Sequence, residues 1–151
     1  MGTATVDGLR LGYEIIGTRG RTWIITPGGR FSREDPGVRQ LAESVAAGGH
    51  RVVIWDRPNC GESDVCFEGS TESEMQADYL AALLRHLGTG PAVLMGGSGG
   101  ARVSMLAAAR HPDVTGALAL LWISGGVFGL MNLANVYCAP SLRAAVMGGM
   151  E

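Results

Sequence analysis

The sequence predicts an α/β fold: a mostly parallel sheet with a leading β-hairpin. Three observations carry that expectation. The runs "TWIIT", "RVVIWD", "PAVLMG" and "GALALLWIS" are continuously apolar or nearly so, as strands covered on both faces are. Segments with helical apolar spacing separate them, and strand-helix alternation implies parallel strands joined by helical crossovers. Ahead of them, Asp7-Gly8 sits between "TATV" and "RLGYEIIG", a strong signal for a tight hairpin turn.

Each element follows from local chemistry. After the hairpin, Thr22–Thr26 is a buried strand ended by Pro27-Gly28-Gly29. A helix is expected from Asp35, a good N-cap, with Pro36 at its first position. Val38, Leu41 and Val45 give it one apolar face, and Gly48-Gly49 stops it. Arg51–Asp56 is the next strand, followed by the loop "RPNCGESDVCFEGS". A second helix begins near Thr71, where Thr71 and Glu74 form a capping box. Met75, Tyr79 and Leu83, with Leu80, Leu84 and Leu87, recur at helical spacing up to Gly88. Pro91–Gly96 is a strand, "ARVSMLAAARH" a helix closed by Pro112, and Gly116–Ser124 a further strand. The tail beyond it is apolar and helical in parts. Trp23, Trp55 and Trp122 lie within strands and are expected in the core.

Bulk composition excludes several functions. A chain of 151 residues with 46% hydrophobic and 17% charged side chains is globular and large enough for one cored domain. The net charge is -2 and no Lys/Arg cluster occurs, which argues against a nucleic-acid partner. From Val114 to Leu142 no side chain is charged, a length that could span a bilayer. Gly125-Gly126, Gly129, Asn132, Asn135 and Pro140 interrupt it, so a buried strand followed by an apolar loop and helix is expected, and no membrane partner. "MGTATVDGLR" has no apolar signal core. The cysteines Cys60, Cys66 and Cys138 form no C-x-x-C pair. A disulfide framework or zinc site is not expected, and a reducing cytoplasm is. No metal or cofactor is implied.

The stretch "VLMGGSGGARVS" carries the functional signal. Gly96–Gly100 could be read as a flexible spacer, but spacers sit between domains with polar flanks. This one joins a buried strand to an Ala-rich helix, the context that a Gly-x-Ser-x-Gly nucleophile turn requires. Glycines at Gly96 and Gly100 remove Cβ atoms that would clash in so sharp a turn. Ser98 would then project from the carboxyl end of the sheet at a helix N-terminus, which favours developing negative charge. A phosphate-cradling loop would need Gly-Lys-Ser/Thr, which is absent. A dinucleotide fingerprint would follow the first strand of a βαβ unit.

With "TPGGRF" after an early strand, "DRPNCGESD" over Asp56–Asp64, and "GGSGG" in that order, the chain resembles the α/β-hydrolase fold family. It looks most like its cap-bearing small-molecule hydrolases. Pro27 stands where His is common, and Asn59 where Gly is usual, Asn being the residue after Gly that best tolerates left-handed backbone. The resemblance implies that Ser98 attacks an acyl carbon of a small-molecule ester, lactone, amide or C–C bond substrate. The Gly99 amide would be one oxyanion donor, and Gly29, or alternatively Gly28, the second. Asp56, Arg57, Gly61 and Ser63 are expected to shape their loop rather than do chemistry.

A serine needs a histidine base and the histidine an acid, and in this fold they follow the serine. His50, His86 and His111 all read as structural or surface residues. After Ser98 the carboxylates are Asp113 and Glu151. Asp113 is expected at the wrong edge, and Ser124-Gly125-Gly126 occupies a place where some members carry the acid. The sheet is therefore expected to be incomplete at its C-terminal strands, with residues 1–126 as the N-terminal part of the hydrolase core and 127–151 as the start of a cap. The acid and histidine would come from a C-terminal complement of the same hydrolase. The alternatives are a non-catalytic binding module, with a homo-oligomer covering the open edge, or an acyltransferase using the same serine.

Overall fold

A computed structural model describes residues 2–123 and 126–149. The strands are β1 (Gly2–Val6), β2 (Leu9–Ile16), β3 (Thr22–Thr26), β4 (Arg51–Trp55), β5 (Ala92–Gly97) and β6 (Thr115–Leu121). They form one sheet in the order β1-β2-β4-β3-β5-β6. The hairpin is antiparallel and joins β4 antiparallel, while β4, β3, β5 and β6 run parallel. The Asp7-Gly8 turn has positive φ at both residues, 49° and 84°, the geometry that makes this dipeptide a hairpin turn.

The helices begin and end where their caps dictate. Helix α1 (Pro36–Ala47) starts at Asp35, whose carboxylate accepts from the Gly37 amide. Helix α2 (Glu72–His86) starts at Thr71, whose hydroxyl accepts from the Glu74 amide at 3.2 Å. Helix α3 (Gly99–Arg110) follows β5 directly. Beyond β6, α4 (Gly126–Leu133) runs through one π turn (Ala134–Cys138) into α5 (Ala139–Gly148).

Two apolar layers enclose the sheet. On one face α1 packs Val38, Leu41 and Val45 against Ile25, Val52 and Ile54. On the other, α2 and α3 bury Leu80, Leu83, Leu84, Val103 and Ala107 with Ile24, Val53 and Leu94. Strands β3, β4 and β5 are thus covered on both sides, and their unbroken apolar runs reflect that. Trp55 is fully buried and donates its indole N–H to the Thr26 hydroxyl at 3.1 Å, satisfying its one polar atom. Trp23 is half-buried against the His50 ring, with centroids 5.6 Å apart.

Strand β6 departs from expectation. It pairs with β5 alone among the described residues and is half-exposed, with Leu118 43% and Leu121 38% accessible. It ends at Leu121 rather than Ser124. Trp122 turns out of the sheet with φ 47° and is 82% exposed, so the expected core position is corrected. The backbone reversal leaves its ring beside Gly97, at the end of β5, instead of in a helix layer. The Ser124-Gly125 site lies outside the described residues. Leu130, Met131, Val136, Tyr137, Leu142, Val146 and Met147 of the tail are exposed. No described helix is long and apolar enough to cross a membrane.

A buried ion pair ties the loops at the carboxyl edge. Asp56, just after β4, is 1% exposed, and Arg33, in the loop after β3, is 2% exposed. The Asp56 carboxylate accepts from the Arg33 amide at 2.8 Å, from its guanidinium at 2.5 Å and from the Glu62 amide at 3.1 Å. Arg33 also donates to Glu62 at 2.6 Å. A Cβ at Gly61, φ 54°, would fall 2.3 Å from the Asp56 carboxyl carbon. The Ser63 hydroxyl donates to the Asp56 carbonyl at 2.6 Å and accepts from the Gly12 amide at 3.0 Å. Asn59 adopts φ 70°, and its side chain bridges to the Cys66 amide and carbonyl. These residues shape their loop, as their composition implied. Removing one partner of such a buried pair leaves an uncompensated charge. Arg33→Met is expected to cost about 3–5 kcal/mol, read as a lower urea midpoint with an unchanged slope.

Candidate active site

Ser98 lies between the last residue of β5 and the first of α3, with φ 53° and ψ -117°. That is the first central position of a type II′ turn, which glycine takes freely and other residues take under strain. Neighbouring glycines make room for it. A Cβ at Gly96 would fall 2.3 Å from the Gly100 carbonyl oxygen. A Cβ at Gly100 would fall 2.0 Å from the Thr26 carbonyl oxygen and 2.8 Å from that of Pro27. Contacts this short are closed to any side chain. The start of α3 therefore rests directly on the end of β3, and the turn between them has no slack.

Hydrogen bonds pin the turn at both ends. The Ser98 amide donates to the Leu121 carbonyl of β6 at 3.0 Å, and the Ser98 carbonyl accepts from Ala101 at 3.0 Å and Arg102 at 3.3 Å. Ser98 is half-buried. Gly99 is the first residue of α3, so its N–H has no acceptor within the helix. The amides of the first turn point toward the carboxyl edge with the positive end of the helix dipole.

The loop after β3 meets this turn because Thr26 pairs with Gly96 in register. A Cβ at Gly99 would stand 3.6 Å from the Gly29 amide nitrogen, so Gly29 lies close beside the start of α3. Gly29 has φ 53°, and a Cβ there would meet nothing within 4 Å, so the space on that side of Gly29 is open. Gly28 is built differently: a Cβ there would fall 2.4 Å from the Gly97 carbonyl oxygen and 3.2 Å from the Ser98 Cβ. It is the packing contact between loop and turn, whereas Gly29 faces the opening.

One residue of this arrangement was not legible as such. Arg57, 6% exposed, donates to the Gly29 carbonyl at 2.7 Å and to Gln76 at 3.4 Å. Gln76 in turn donates to the Pro58 carbonyl at 3.3 Å. A cation buried behind the loop thus fixes the peptide plane after Gly29. The contact joins positions 28 residues apart, and no local pattern reveals it.

The three histidines are at the other edge. His50 precedes β4, His86 ends α2 before β5, and His111 caps α3 before β6. Each lies at the amino end of the parallel strands, separated from Ser98 by the length of a strand, about 20 Å. His111 is held structurally. Its Nε2 lies 2.7 Å from Asp78, and its Nδ1 lies 3.3 Å from Arg85. Arg85 can only donate, so Nδ1 accepts and Nε2–H donates to Asp78. Asp78 also binds Arg110 at 2.8 Å, and Asp113 pairs with Arg85 at 2.9 Å. The Arg110 hydrogen bond holds the Asp78 carboxyl below its ordinary value against partial burial, with help from His111. Asp113 is thus at the edge opposite Ser98. Among the described residues no cluster of His, Cys, Asp and Glu could hold a metal ion.

A model of the family described as alpha/beta hydrolase fold matches residues 28–134. The 2-hydroxy-6-oxononadienedioate/2-hydroxy-6-oxononatrienedioate hydrolase of Burkholderia vietnamiensis is 30% identical over 122 residues, 80% of this chain and 42% of that protein. The chain therefore spans less than half the length of this curated relative. The crystal structure of Cfl2 from Burkholderia cenocepacia is 26% identical with a TM-score of 0.74, over 96% of this chain and 54% of that one. An epoxide hydrolase from Vigna radiata, 19% identical, shares the fold with a TM-score of 0.73, over 98% of this chain and 46% of its own.

Two outcomes follow from this geometry. Gly100→Ala should destabilise the protein by about 3 kcal/mol, because its Cβ meets main-chain oxygen. Gly97→Ala should stay within about 1 kcal/mol, since its Cβ would make ordinary contacts, with the Trp122 ring at 3.5 Å and the Leu121 carbonyl oxygen at 4.0 Å. Urea unfolding compares the two. Separately, a carboxyl with a depressed pKa stabilises the fold above its unfolded value, about 3.9, and that contribution is lost as pH falls through the lower folded value. Asp78→Asn should therefore flatten the loss of stability as pH falls below about 4, measured as urea midpoint against pH.

Proposed function

The chain belongs to the α/β-hydrolase fold family, and on that premise we propose that it is the nucleophile-bearing portion of a serine hydrolase. Its substrate is a small molecule with an ester, lactone, amide or ketonic C–C bond. The observation that carries this reading is the Ser98 backbone, φ 53° and ψ -117°, at the head of α3 with Gly29 close beside Gly99. Strain of this kind costs on the order of 1–3 kcal/mol and is retained where a site requires it.

In this reading the Ser98 hydroxyl gives its proton to a histidine as its oxygen bonds to the substrate carbonyl carbon. The carbonyl oxygen becomes an anion held by the Gly29 and Gly99 amides and the α3 dipole. Collapse restores the carbonyl, breaks the bond to the leaving group, and passes the histidine's proton to that group. Water then attacks the acyl-serine by the same route and regenerates the hydroxyl. Arg57 positions the Gly29 loop without touching substrate. The histidine and its acid come from a C-terminal complement. Two facts support this: His50, His86 and His111 lie at the far edge, and the half-exposed β6 offers a pairing edge for further strands. The Burkholderia vietnamiensis relative, named for hydrolysis of oxo-dienedioates, favours a conjugated keto acid among the substrate classes.

Residues 1–151 alone should hydrolyse p-nitrophenyl acetate no faster than buffer and gain activity with the complement. In the complemented protein, Ser98→Ala should lower kcat by about 10⁴-fold or more and abolish labelling by a fluorophosphonate probe. Equal turnover by wild type and Ser98→Ala would overturn the assignment.

A further inference from the structure

Two large aromatic side chains stand exposed at the carboxyl edge, on either side of the strand that leads into Ser98. Phe31 is 59% exposed and Trp122 is 82% exposed. In the sheet, β3 and β6 flank β5. Phe31 follows the loop out of β3, and Trp122 follows β6 directly. Both are tied to the turn. The Phe31 amide donates to the Gly28 carbonyl at 3.1 Å, in the loop that packs on the turn. The Ser98 amide bonds the carbonyl of Leu121, the residue before Trp122. The indole lies over Gly97, where an added Cβ would be 3.5 Å from a ring carbon.

Neither placement serves the core. Trp122 adopts φ 47°, a conformation in which a bulky side chain is an outlier. The result is an indole kept in the open beside the residue that precedes the nucleophile. Backbone strain at one residue is a feature that functional sites retain. No charged side chain lies between Thr115 and Ile123, so this wall is apolar throughout.

Building on the serine-hydrolase reading, we propose that Trp122 and Phe31 are the two walls of the acyl-binding cleft, and that they select a flat, conjugated or aromatic acyl group. Flat faces favour planar π-systems by offset stacking and apolar contact. A short saturated acyl group fills neither wall. Both residues act as specificity determinants in contact with substrate.

Binding is tested on the whole protein with trans-cinnamate as the probe and acetate as its small counterpart, by calorimetric titration. Cinnamate should bind wild type and Ser98→Ala equally, and acetate should give no measurable heat. Trp122→Ala should weaken cinnamate at least tenfold, and Trp122→Phe should recover most of that loss. Phe31→Ala, from the opposite wall, should weaken it about threefold to tenfold. The kcat/KM ratio of p-nitrophenyl cinnamate to p-nitrophenyl acetate should fall about tenfold in Trp122→Ala. Cinnamate affinity and ester selectivity unchanged in both Trp122→Ala and Phe31→Ala would overturn the proposal. Ser98→Ala separates the two readings: activity retained there sinks the nucleophile assignment, while its cinnamate affinity reports on the cleft alone.

Discussion

The approach of Gly100 to the carbonyl oxygens of Thr26 and Pro27 is the constraint on which the carboxyl edge depends. With no side chain at Gly100 or Gly96, α3 begins in direct contact with the end of β3. That contact leaves the chain one residue in which to reverse from strand to helix, and Ser98 takes the strained turn. The same contact carries the β3 loop up to the turn, so Gly29 comes to lie beside Gly99. A larger residue at either glycine would push helix and strand apart and separate these groups together.

The second tier of support is polar and buried. Arg33, Asp56 and Glu62 lock the far end of the β3 loop to the segment after β4, and Arg57 locks its near end through the Gly29 carbonyl. Each cation has carboxylate or carbonyl acceptors in place of water. Such pairs contribute little net stability, because desolvation offsets most of their attraction. Their geometric effect is larger: they hold this corner of loops in one arrangement where apolar packing alone would permit several. His111 belongs to a different system. Asp78, Arg110, His111, Arg85 and Asp113 clasp α2 to the end of α3 at the amino edge, far from Ser98.

Much of this was legible along the chain. The caps at Asp35 and Thr71, the Asp7-Gly8 turn, the left-handed Asn59 and the strand-turn-helix setting of Ser98 are local events. Each is fixed by steric or hydrogen-bonding preferences that act within a few residues. The bounds of β3 and of both capped helices follow from the same local chemistry. The end of β6 did not, because "GALALLWIS" reads as one apolar run and nothing in it marks a reversal at Trp122. The roles of Arg33 and Arg57 were equally hidden, since an arginine in a polar loop has the same local pattern whether it faces water or a buried carboxylate.

What the sequence determined by itself, then, was the fold class, the order of elements and the one residue built for a strained turn. Periodicity, capping and the bare glycines are short-range properties. Only the tertiary structure decided which strands lie side by side, and so which loops meet. The order β4-β3-β5-β6 puts the Gly28-Gly29 loop on one side of Ser98 and Trp122 on the other, and sends all three histidines to the opposite edge. Those neighbourhoods are set by the pairing of strands tens of residues apart. Pairing depends on the packing of both helix layers at once, which no local stretch of sequence encodes.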